Sequence, residues 1–129
     1  MPTDIRIIHA HDFIKATPEG HLDLEESKRL LVELTSASLN DHDIILDTRK
    51  AQSEMSILDL WDLAAELDNH RKDSSRKTAI VCPIERFDHA GFFARHAQNR
   101  GFRVREFTSF EDAINWLSGA RSVPTASRY

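Results

Sequence analysis

Seven histidines are the first residues that invite chemistry. His9 and His11 flank Ala10, and in an extended strand that spacing turns both imidazoles to one side, as a zinc site built on a strand requires. Zinc needs further ligands, and His21, His42, His70, His89 and His96 are dispersed without a metal-binding spacing. His89 and His96 would share a helix face about two turns apart, too far to chelate one ion together. No metal site is expected. Cys82, followed by Arg86, is the second candidate, because a thiolate and a nearby arginine cradle phosphate in cysteine phosphatases. That signature places the arginine six positions after the cysteine, where this chain has Asp88, and the loop has no glycines to expose backbone amides to an anion. Cys82 is instead expected to be buried and inert. A Gly-x-Ser-x-Gly elbow, a Walker loop and a dinucleotide fingerprint are all missing, and the chain has only four glycines from which to build one. Neither a catalytic residue nor a cofactor is expected, and the chain reads as a non-enzyme.

The third candidate is the stretch SEMSILDLWDLAAELDNH, residues 53 to 70. Ser56 and Asp59 have the spacing of a capping box, in which the serine oxygen accepts from a free helix amide and the acidic side chain bonds back to the amide of the cap. Phosphorylation of Ser53 or Ser56 is the alternative, since it would set negative charge at the positive end of a helix. Behind the cap, Ile57, Leu60, Trp61, Ala64 and Leu67 form one apolar stripe, yet Leu58, Leu63 and Ala65 lie outside it. A helix this widely apolar must bury more than one side, and a sheet can cover only one. The other side needs a neighbouring helix, a ligand or a second subunit. Phe92 and Trp116 also sit off the stripes of their own helices and are expected to join that surface. The candidate interaction surface therefore runs from Ser53, Met55 and Ser56 in the loop to Leu58, Asp59, Asp62 and Leu63 on the helix, with Phe92 beside them.

The elements that must position these residues follow from periodicity. DIRIIHAHDFIKATPEG predicts two extended segments, about residues 5 to 9 and 12 to 17, closed by Pro18 and Gly20. Asp23 caps a helix expected over about 24 to 39, with Glu25 and Glu26 in its first turn. DIILDTR and KTAIVCP are short apolar runs of the kind buried on both faces of a sheet. A helix is expected over about 57 to 69, and another runs to about 99, with Gly101 at its C-terminal side. FRVREF alternates apolar with charged residues, which suits a strand nearer an edge. Thr108 with Glu111 has capping-box spacing before a last helix whose inner face is Phe110, Ala113, Ile114 and Leu117. The order β-β-α-β-α-β-α-β-α specifies an α/β fold: a mixed, mostly parallel sheet of about five strands with four helices.

Bulk properties narrow the partners. A chain of 129 residues fits one domain, expected over 1 to 119, with residues 120 to 129 as a loose tail. No stretch of 18 apolar residues is present, so no membrane span is expected. The start, Met-Pro-Thr-Asp-Ile-Arg, lacks a basic segment followed by an apolar run, and a single cysteine suits a reducing compartment; a cytoplasmic location is expected. The net charge of −4 argues against nucleic acid as a partner. Residues 1 to 70 carry −9 and residues 71 to 129 carry +5, an asymmetry that could steer a charged partner or a second copy of the chain.

IILDTR leading into SILDLWDLAAEL, the strand TAIVCP and the closing GFRVREFTSFEDAINWL together resemble the STAS superfamily of SpoIIAA-like proteins, over about residues 5 to 118. The resemblance implies that fold and a regulatory, protein-binding role like that of the anti-sigma factor antagonists. In those proteins the loop after the corresponding strand carries Asp-Ser-Ser-Gly, and a serine there is phosphorylated by a partner kinase. Here that motif falls on Met55-Ser56-Ile57-Leu58, so the position of the usual phosphoacceptor is Ile57, which has no hydroxyl. The first expectation is therefore a non-enzymatic interaction domain, acting on a protein partner or on itself as a homodimer. The second is a binding module for a small apolar or lipid-like molecule, suggested by the apolar surplus on helix 57 to 69 and a layout similar to lipid-transfer domains.

Overall fold

The computed structural model describes residues 3–8, 13–35, 42–70 and 77–119. Its main sheet has five strands in the order β1-β2-β4-β6-β7: Thr3–Ile8, Phe13–Pro18, Asp43–Asp47, Lys77–Val81 and Arg103–Phe107. β1 runs antiparallel to β2, and every other neighbour is parallel. The two apolar runs, β4 and β6, lie inside the sheet, and the alternating FRVREF strand is its edge, as their patterns require. Four helices cover it: α1 Leu24–Thr35, α2 Ile57–His70, α3 Phe87–Asn99 and α4 Phe110–Ser118.

After β2 each parallel strand is added on the same side of its predecessor, and right-handed crossovers then force α1, α2 and α3 onto one face of the sheet. α4 covers the other. Strand alternation sorts the core accordingly. Phe13, Ile45, Ala79 and Val81 meet Ala113 and Leu117 of α4, whereas Ile80 and Val104 meet Leu67, Ala94 and Ala97 of α2 and α3. Ala16, Ile44 and Leu30 of α1 complete the three-helix side.

Two short strands depart from the expected order. β3, Gly20–Leu22, pairs in parallel with β5, Ala51–Ser53, in a second, two-stranded sheet. Gly20 begins it with φ of 86°, a conformation only glycine takes without strain, so the Pro18–Gly20 break redirects the chain into a strand. The last helix is capped by Ser109, whose oxygen accepts from the Asp112 amide at 3.3 Å, and not by Thr108. The helix begins one residue later than the Thr108–Glu111 spacing implies. Asp23 does cap α1, its carboxylate accepting from the Glu26 amide at 2.9 Å. That helix is described to Thr35; the expected stretch to residue 39, like the expected tail from 120 and the pair His9 and His11, falls outside the described residues.

Candidate functional site

The three-helix face is not filled. Between it and the sheet lies a cavity of about 150 Å³. Its floor is the upward-facing side chains of successive strands, including Ile44 and Leu46 of β4, Thr78 and Ile80 of β6 and Val104 of β7. Leu30 and Leu31 of α1, Leu60, Leu63 and Leu67 of α2, and Phe93 of α3 form its roof. Leu31, Leu63 and Phe93 are only half-buried, so the roof itself borders solvent.

Polar groups gather at one end, beyond the C-terminal ends of the parallel strands, where ligands of open α/β sheets bind. Thr48 follows β4, Cys82 follows β6, and Arg86 closes the 3₁₀ turn Ile84–Arg86 before α3. Thr48 is held by two bonds to the Val81 carbonyl, one from its amide at 2.8 Å and one from its hydroxyl at 3.0 Å. Arg86 Nη2 donates to the Thr48 carbonyl at 2.7 Å, which ties the two loops together. Cys82 is buried, its sulfur 3.7 Å from the Phe107 carbonyl. Burial pushes its thiol above the ordinary value; the Arg86 charge acts the other way and that of Glu106 adds to the rise. A thiol so held is a poor nucleophile.

The residues singled out from the sequence do not form one surface. Ser53, Met55 and Leu63 line the cavity, and the Ser27 hydroxyl donates to the Met55 sulfur at 3.6 Å, fixing the loop over α1. Ser56 and Asp59 form the reciprocal cap that their spacing predicts: Ser56 Oγ accepts from the Asp59 amide at 3.1 Å and Asp59 Oδ2 from the Ser56 amide at 3.2 Å. Asp62 pairs with Lys28 of α1 at 3.3 Å. Leu58 projects outward, 76% exposed, and the Phe92 ring packs on His96 within α3, 4.3 Å between centroids.

Two expectations about α2 need correction. Ile57 and Trp61 belong to the predicted inner stripe but are 46% and 49% exposed; the inward face is Leu60, Leu63, Ala64 and Leu67. Both phases of the helix are apolar, and the positions of the sheet, α1 and α3 choose between them. Trp116 joins no surface with α2, because it packs on Phe107 across the sheet, 5.7 Å between centroids. Sequence reasoning also missed Leu22, Thr48, Thr78 and Val104 as cavity residues, and considered Arg86 only as part of a phosphatase loop. No local signal marks them, since a void is shaped by residues distant in the chain. Among the described residues, no cluster of histidine, cysteine and carboxylate groups could hold a metal ion. Nor is any described helix long and apolar enough to cross a membrane.

The solved structures that match include two of similar strength. One is an uncharacterised protein of the DUF3478 family with a SpoIIAA-like fold from Shewanella loihica PV-4: TM-score 0.56 and 20% identity, over 89% of this chain and 93% of that one. The other is the anti-sigma factor antagonist SpoIIAA in its unphosphorylated form: TM-score 0.55 and 12% identity, over 92% of this chain and 99% of that one. The fold is SpoIIAA-like. No family model and no curated protein matches the sequence. At these identities the likeness concerns the backbone arrangement alone.

Proposed function

We propose that this SpoIIAA-like domain is a non-catalytic binding module for a compact apolar or lipid-like molecule, seated between the sheet and helices α1 to α3. The observation that carries the proposal is the cavity. A cavity of about 150 Å³ with an almost wholly apolar lining has room for a benzene-sized guest.

The test is thermal unfolding with 1-hexanol, a neutral guest of suitable size. At a hundredfold excess over Kd the midpoint rises by roughly 10 °C, and Thr78→Ile, which fills the cavity from β6, removes the rise. No shift with hexanol or benzene would refute the proposal.

A second reading has its own observation. Ile57, Leu58 and Trp61 leave an apolar strip exposed along the start of α2, as a contact for a protein partner or a second copy would need. Light scattering after size-exclusion chromatography separates the two. An assembly lost on Leu58→Lys supports the contact, and a strict monomer at high concentration with no retained protein removes it.

A further inference from the structure

We propose that the guest of this cavity carries a single anionic head, a carboxylate, which Arg86 takes up at the C-terminal edge of the sheet. The inference rests on the apolar-guest reading and goes beyond it to the chemical class. Among the described residues that line the cavity, Arg86 is the only charged one. Its guanidinium makes one hydrogen bond among the described residues, to the Thr48 carbonyl, which leaves most of its donors unused. Among the described residues no carboxylate lies within ion-pair distance of it.

The contrast with Arg49, one loop away, is direct. Arg49 Nε and Nη2 grip both oxygens of Asp47, at 2.9 and 2.8 Å, so its fork already holds the planar anion that suits it. Arg86 has the same fork, a neighbouring carbonyl to orient it and a place on the lining of an apolar chamber, but no carboxylate partner among the described residues. Ser53 adds a hydroxyl on the lining that bonds to no described residue. Glu85 and Asp88, the acidic neighbours of Arg86 in the chain, form no ion pair with it, and the Glu106 carboxylate, felt by Cys82, is turned toward Gly91 of α3. One cation balances one negative charge, which favours a carboxylate over a doubly charged phosphate. An alkyl carboxylate thus fits end to end: its chain over Ile44 and Ile80, its head against Arg86.

A series of six-carbon probes tests this on the intact protein, with affinities measured by calorimetry. Hexanoate is expected to bind at least tenfold more tightly than 1-hexanol, hexylammonium more weakly than either, and hexyl phosphate no better than hexanoate. Arg86→Gln should bring hexanoate down to the level of 1-hexanol while leaving 1-hexanol unchanged, with Arg86→Lys in between. The wild-type series alone decides the matter should either variant fail to fold. If 1-hexanol binds and hexanoate binds no better, the head assignment is wrong and the apolar-guest reading stands. Tighter binding of hexyl phosphate than of hexanoate would replace the carboxylate with a phosphate, and failure of every probe would overturn both readings.

Discussion

The two faces of the sheet are built from alternate residues of the same strands, yet one is closed and the other hollow. On the α4 face a single helix lies flat over Ile45, Ala79 and Val81, and long side chains seal its margins. Lys15 reaches over the Phe110 ring at 4.9 Å, and Lys77 over Trp116 at 5.5 Å while bonding the Trp116 carbonyl at 3.0 Å. On the opposite face three helices must share a roof, their contacts with one another competing with contacts to the strands beneath. Close packing is obtained where one rod meets the sheet, and space is left where three converge. The lesson is that a binding site here needs no dedicated motif; it arises where packing is left incomplete, and polarity at the strand ends gives it direction.

Adjacent residues can break that comparison. Ile45 is fully buried on the α4 face, and Leu46 borders the cavity on the other. Ile45→Ala should cost about 3–5 kcal/mol, and Leu46→Ala about 2 or less, because part of its surroundings is already empty. Equal losses in urea unfolding would mean that the faces are packed alike. The next pair reverses the sense of substitution. Ala79→Leu forces volume into the closed face and should cost about 1–3 kcal/mol, while Thr78→Ile one residue earlier should be neutral or stabilising.

Asp47 sharpens the comparison electrostatically. Burial on the closed face works to raise its carboxyl pKa, but the hydrogen bonds and charge of Arg49, with Lys15 behind them, outweigh burial and hold it below the ordinary value. A carboxyl lowered in the folded state stabilises the fold above its unfolded value of about 3.9, and that contribution is lost as pH falls through the folded value. Asp47→Asn should cost about 1–2 kcal/mol at neutral pH, discounted because Arg49 is 44% exposed, and should flatten the acid limb of stability below about pH 4. An unchanged limb in acid titrations followed by circular dichroism would show that the pair is not coupled to folding. The smallest effect belongs to the edge of the hollow face. Ser56→Ala should cost about 1 kcal/mol through the lost α2 cap, and Ser56→Asp much less, since aspartate also caps.

Much of this architecture is legible in sequence because period and spacing are local. The apolar runs of β4 and β6 mark inner strands, the alternation of β7 marks an edge, and Ser56 with Asp59 announces a helix start that the hydrogen bonds reproduce. Three-residue strands such as β3 and β5 leave no period to detect, and their pairing joins Leu22 to Ser53 across the whole of α1. The phase of α2 is illegible for a related reason: Ile57 and Trp61 are as apolar as Leu60 and Leu63, and only neighbours remote in the chain decide which pair turns inward. The cavity is harder still. Ser53, Met55 and Leu63 can be singled out from one unusually apolar helix and its loop, but Leu22, Thr78, Arg86 and Val104 come together only in three dimensions, and an empty volume has no residue of its own.

The most direct test is a crystal of the protein pressurised with xenon, or soaked in hexanoate, and examined for density between Leu30, Ile44 and Ile80. An occupied site is expected there, with no matching site between the sheet and α4. Density confined to the outer strip of Ile57, Leu58 and Trp61, with side chains filling the space under α1 to α3, would contradict it.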